Sequence, residues 1–187
     1  MEIDEQVKFS LKRMLIHGGK QGVIGGLILS AFTVLIYTFN VNTFSVVMGL
    51  ITFLITWGTM IIFGYRSAAA YRSETDLPRI PYWVGLVSIF GAVLTMIYIS
   101  AIFSLILHTV IDPGYAAELI REYQEMIYNN SRIPDTMKQE LIMQAELSFE
   151  PVKQFTSSLT GGILISLLIA AIMAFFVRKN PKYKEII

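Results

Sequence analysis

The sequence predicts an all-α, membrane-embedded four-helix bundle with an external amphipathic helical hairpin between spans 3 and 4, and three observations predict it. Hydrophobic residues make up 54% of the 187 and charged residues only 16%, with a mean hydropathy of +0.58, whereas soluble domains carry roughly 25% charge. Apolar runs free of charge recur along the chain, each long enough to cross a bilayer alone or as a pair. Lysine and arginine gather beside three of the run ends, while acids collect in one long connection.

The elements follow in order, as one integral membrane domain over residues 1–187. In residues 1–20, Ile3, Val7, Leu11, Met14 and Leu15 repeat at helical spacing between Glu5, Lys8, Lys12 and Arg13. That pattern predicts an amphipathic helix lying on the cytoplasmic membrane surface and orienting the first span. No charge occurs from Gln21 to Tyr65, a stretch too long for one span and suited to two. Asn40-Val41-Asn42 is the turn, because asparagine tolerates turn geometry and its amide satisfies backbone groups locally. Span 1 is thus residues 22–39 and span 2 residues 44–65, about 27 and 33 Å of helix against about 30 Å of hydrocarbon.

Residues 66–81 form a cytoplasmic loop holding Pro78 and Pro81, and 82–111 form a third span long enough to tilt or protrude. The 112–153 connection opens on Asp112-Pro113, a helix-start signal, and predicts a helix from Pro113 to about Tyr128. Its apolar stripe is Ala116, Leu119, Ile120, Tyr123, Met126 and Ile127. After the 129–134 break, Asp135 and Thr136 can cap a second helix, with Thr136 and Gln139 spaced as a capping box. Packing of the two helices on each other is the simplest use of their apolar sides. Span 4, residues 154–177, follows Pro151 and ends at Arg178-Lys179, and 178–187 are a cytoplasmic tail. The first run passes into a second with no small-residue cleavage site, so the whole chain is expected to stay.

Orientation comes from the flanks. Four basic residues fall in 1–20, three in 66–81 and four after 177, while 112–153 carries eight acids against four bases. Both termini are therefore expected in the cytoplasm and the acidic hairpin outside, as for a multi-pass bacterial inner-membrane protein.

Small residues recur every four positions on the first span (Gly18, Gly22, Gly26, Ser30) and on the fourth (Ser158, Gly162, Ser166, Ala170, Ala174). Such faces allow close helix approach. The expectation is first span against fourth within one bundle, with a second copy or a membrane-protein partner as the sharper reading. His108, Asp112 and Tyr115 form a candidate polar cluster at the outer end of span 3, His108 and Asp112 sharing a face if the helix continues that far. Two ligands do not complete a metal site, and an interfacial histidine beside a helix cap is the simpler reading.

Several classes drop out. No charged residue lies inside a span, which opposes a carrier built on an intramembrane carboxylate. The sequence holds no catalytic constellation, and Gly18-Gly19-Lys20 lacks the spacing of a phosphate loop. No enzyme activity, no cofactor, no metal and no nucleic-acid partner are expected; the lipid bilayer is the one certain partner.

Four apolar runs, the string Ile111-Asp112-Pro113-Gly114-Tyr115, an acidic amphipathic insert and the closing Phe176-Val177-Arg178-Lys179 together resemble a bacterial family of small four-helix membrane proteins described as a domain of unknown function. The resemblance implies this fold and brings no reaction, ligand or functional residue. From the sequence, the leading reading is a non-enzymatic scaffold or accessory subunit of an envelope complex. The alternative is a small carrier or lipid-handling protein, for which a polar mid-membrane cavity lined by Thr52, Thr56 and Thr59, or by Tyr98 and Ser100, is the mark. A dry interior would oppose it.

Overall fold

The structure, a computed structural model, describes residues 10–75 and 80–178. Among them the secondary structure is helical throughout, with no strand. The elements are α1 (Leu11–Thr38), α2 (Val46–Thr75), α3 (Tyr82–Ile106), which continues as one π turn over Leu107–Ile111, then α4 (Tyr115–Asn129), α5 (Asp135–Phe149) and α6 (Pro151–Arg178). Four helices are long and apolar enough to cross a membrane: Leu11–Thr38, Val46–Thr75, Tyr82–Ile111 and Pro151–Val177. Leucines on α2 and α6 such as Leu50, Leu54, Leu164 and Leu168 are exposed, as they must be where hydrocarbon, not water, surrounds the bundle.

Local chemistry sets the ends. Ser10 accepts from the Arg13 amide at 3.4 Å and starts α1. The helix stops where Asn40 takes φ 45°, a conformation that asparagine tolerates better than most L residues. Asn42 Oδ1 then accepts from Phe44 N at 2.9 Å, and Ser45 Oγ from Met48 N at 3.2 Å. The connection therefore reaches Ser45, and α2 begins two residues later than the sequence suggested.

Three further elements differ from expectation. Residues 11–16 are not a surface helix but the first turns of α1 itself, because Met14 is fully buried in the core; residues 1–9 lie outside the described residues. The first part of the 66–81 segment is helix, since Ser67, Ala68 and Tyr71 are buried and carry α2 on to Thr75. The Thr136–Gln139 capping box does not form. Pro134 occupies the cap position, which moves Asp135 and Thr136 inside the helix, and Asp135 instead meets Lys138 at 2.8 Å.

The largest correction concerns the small-residue faces. Both pack on α3, not on each other, so α3 is the centre of the bundle with α1 and α6 on separate sides. A Cβ on Gly18 would lie 2.7 Å from Ser88 O of α3, and one on Gly26 2.8 Å from Ile99 Cβ; on α6, a Cβ on Gly162 would lie 2.9 Å from Ile97 Cγ2. Glycine there lets backbones meet where only dispersion forces hold helices together. The core they border gathers at the end of the bundle where α1 starts and α6 ends, the terminal end, around Met14, Phe63, Tyr71, Ile89, Met96 and Ala174. At the same end Glu74 of α2 pairs with Arg13 at 3.5 Å and bonds His17 Nε2, both on α1.

The opposite, hairpin end carries α4 and α5, which pack on each other and bury Ile127, Ile142 and Ala145. Phe44 from the α1–α2 connection meets the rings of Tyr123 and Phe149 at 5.5 and 5.9 Å, seating the hairpin across the bundle.

Candidate functional site

Between the helices at the hairpin end lies a cleft of about 540 Å³, inside the range of roughly 300–1,000 Å³ usual for ligand pockets. Its floor is apolar, from Leu29, Phe32 and Ile36 of α1, Met60 of α2, and Ile97 and Leu105 of α3. Hydroxyls and amides punctuate it: Thr52 and Thr56 of α2, Ser100 and Ser104 of α3, Gln154 and Ser158 of α6. Leu119 and Phe149 of the hairpin cover one end. No Asp, Glu, Lys or Arg stands among the described residues lining it.

The cleft exists because α2 and α6 part company towards the hairpin. At the terminal end they meet, and a Cβ on Gly64 would lie 3.3 Å from Met173 Sδ. Towards the hairpin a second hollow of about 450 Å³ continues the first, sharing Met60, Ile97, Gln154 and Ser158 and running on to Ser157 and Ile165. Thr52, Ser157 and Ile165 on these walls are exposed, so the space opens sideways between α2 and α6.

The polar cluster at the end of α3 is brought together but divided in two. The π turn over Leu107–Ile111 ends the helix, and Asp112 lies beyond it at φ −144°, so His108 and Asp112 do not share a helix face. Asp112 Oδ1 accepts from Gly114 N at 3.0 Å, and its Oδ2 accepts from the Tyr37 hydroxyl at 3.0 Å. It shapes the corner into α4 and ties it to α1. His108 and Tyr115 face the cleft instead, with rings 5.4 Å apart, and Tyr115 stands edge-on to Tyr37 at 4.9 Å. Burial, reinforced by Glu122 and Glu118, pushes the Tyr115 phenol above its usual range. His108 is 7% exposed, and its Nδ1 is buried with no hydrogen-bond partner among the described residues.

The other expected residues divide as well. Thr52 and Thr56 line the cleft, whereas Thr59 is buried away from it. Ser100 lines it too, but Tyr98 donates to Leu159 O at 3.4 Å and fastens α3 to α6. Ser158, read as part of a packing stripe, is a cleft residue, while Gly162, Ser166 and Ala170 are buried. On α1, Gly18, Gly22 and Ser30 are buried, Ser30 Oγ bonding Gly26 O at 2.9 Å. Sequence reasoning missed Tyr37 and Gln154. An aromatic ring closing an apolar run is a membrane-interface signal that could have marked Tyr37; nothing in the pattern marks Gln154.

The family model for "Protein of unknown function (DUF4199)" matches residues 20–179. The chain belongs to this family. The family's stretch contains every residue lining the cleft and leaves out Arg13 and His17 of the terminal-end cluster. Comparison with curated proteins and with solved structures gives no match. Family membership thus agrees with the resemblance carried by the sequence, and brings no reaction with it.

Proposed function

We propose that this membrane protein binds a lipidic molecule taken sideways from the bilayer into the cleft between α2 and α6, without catalysing a reaction. One observation carries the reading: the cleft combines an apolar floor and scattered hydroxyls with a side opening towards the surrounding hydrocarbon. A pocket that opens to water favours polar ligands; one that opens among lipid-facing helices is supplied by the bilayer itself. The small-residue stripes that motivated a scaffold role are spent against α3, leaving the hairpin as the support for that second reading, since Met143 and Leu147 are exposed one turn apart on α5.

The proposed setting is the bacterial inner membrane, termini in the cytoplasm and hairpin outside, on the strength of the basic flanks. A reporter fused after Ile187 should read cytoplasmic and one inserted near Asn130 external; the reverse would overturn the orientation. For the binding role, protein purified in mild detergent should retain co-purifying lipid by native mass spectrometry. Ser158→Phe, which fills the cleft, should strip most of it while leaving the protein folded. Equal retention by both proteins would sink the reading.

A further inference from the structure

One buried nitrogen of His108 says more about the occupant. A polar atom sealed from solvent ordinarily finds a hydrogen-bond partner, because leaving it unpaired is costly. His108 Nδ1 has none among the described residues and is sealed from the cleft as well, but the residue lines the cleft wall, so a turn of the ring would offer the nitrogen to an occupant. The π turn that begins at Leu107 places it there, and single π turns recur at functional sites.

Below His108 the α3 wall of the cleft continues through Ser104, Ser100 and Ile97, at the three-to-four-residue spacing of one helix face. That wall is about 16 Å long at helical rise, roughly half of a bilayer's hydrocarbon thickness of about 30 Å. The site therefore matches a molecule drawn from one leaflet, polar end at His108 and chain towards the middle of the bundle. Charge decides which molecule. A phosphate or carboxylate head calls for arginine or lysine, and neither lines this cleft; Lys153 stands exposed on the adjoining hollow.

Resting on the binding role proposed above, we infer that the occupant is an uncharged amphiphile, a hydrocarbon chain ending in a hydroxyl or carbonyl oxygen, and that His108 hydrogen-bonds that oxygen. A neutral imidazole presents one donor and one acceptor nitrogen, so either kind of oxygen is served. Two membrane sources share this chemistry: a glyceride hydroxyl, as in diacylglycerol, and the carbonyl of an isoprenoid quinone.

The test uses the full chain in mild detergent and an oleyl alcohol probe carrying a diazirine next to the hydroxyl. Irradiation should label the segment from Ser104 to Tyr115 saturably. Either dioleoylglycerol or decylubiquinone should compete, and the one that competes names the source, while oleate should compete at least roughly tenfold less well, because its carboxylate would be buried without a cationic partner. His108→Leu should weaken probe binding roughly tenfold, with His108→Gln restoring most of it. Oleate competing as well as the uncharged ligands, competition by neither of them, or unchanged affinity in His108→Leu would overturn the inference. If His108→Leu fails to fold, labelling of the native protein decides: reaction outside Ser104–Tyr115 overturns it. Ser158→Phe separates the two levels. Labelling that vanishes in Ser158→Phe but ignores His108 leaves the cleft as a lipid site and removes the histidine's role; labelling indifferent to both variants removes both.

Discussion

The terminal end and the hairpin end of the bundle are made from the same four long helices but are held together differently. At the terminal end, Met14, Ile89, Val93, Met96 and Ala174 are essentially sealed from solvent, glycines draw the helices into backbone contact, and Glu74 bridges α2 to α1. Towards the hairpin, α2 and α6 separate, the interior holds a cleft of about 540 Å³, and closure depends on a few directional contacts: Tyr37 to Asp112, and Phe44 against Tyr123 and Phe149. In lipid, apolar side chains gain little by leaving hydrocarbon for a protein core, so stability must come from close packing. The terminal end has that packing. The hairpin end forgoes part of it, which leaves the space that the proposed lipid site requires.

The contrast can be broken by paired substitutions. Gly18→Leu should be the most damaging, costing about 3 kcal/mol, because its new Cβ meets the Ser88 carbonyl oxygen at 2.7 Å and backbone cannot swing aside. Thermal unfolding in detergent should show a large drop, and a change at Gly18 no worse than Gly161→Leu, where a Cβ meets nothing within 4 Å, would contradict the account. Next comes Met14→Ala, removing a side chain with no exposed surface, at about 2 kcal/mol. Its counterpart in the cleft wall, Leu105→Ala, should cost well under half as much, since that side chain already borders empty space. Equal costs would mean that the two ends are packed alike.

A smaller effect belongs to the tie between α1 and the hairpin. Tyr37→Phe removes the 3.0 Å hydrogen bond to Asp112 and should lower the unfolding temperature by less than Met14→Ala does. The sharper readout is hydrogen exchange, which should quicken in α4 and leave the amides near Met14 unchanged. The smallest effect is within the hairpin. The Lys138 ammonium holds the Asp135 carboxyl below its ordinary range, so the contribution is present above the unfolded carboxylate pKa of about 4 and fades as the pH falls through the lower folded value. Exchange protection of α5 should slip slightly below about pH 4 and lose that pH dependence in Asp135→Asn; because the Asp135 carboxylate is exposed, only a marginal change is expected.

Legibility followed the same division. The four spans, the 82–111 run and the helical hairpin could be read because each rests on a sum over a contiguous segment: hydropathy, charge, or a break at proline. Residues 11–16 were misread because an amphipathic pattern says that one side is apolar without saying whether lipid or α3 covers it; Met14 found α3. The Thr136–Gln139 box failed because Pro134 claimed the cap, a competition between neighbouring signals that spacing alone does not settle. His108 and Tyr115 were recognised as neighbours, but their separation from Asp112 depended on the π turn, which has no sequence mark here.

By itself, then, the sequence determined that the chain is a membrane protein of four apolar helices with an acidic connection, because transfer of a segment into lipid depends on that segment's composition. It also determined that α1 and α6 carry close-packing faces. Only the tertiary structure decided what those faces meet. A glycine stripe permits close approach to any helix of complementary shape, and α3, with Ser88, Ala92 and Ile97 turned to its neighbours, accepted both. With α3 taken as the shared partner, α2 and α6 meet at one end and part at the other, and the cleft beside His108 follows from that choice.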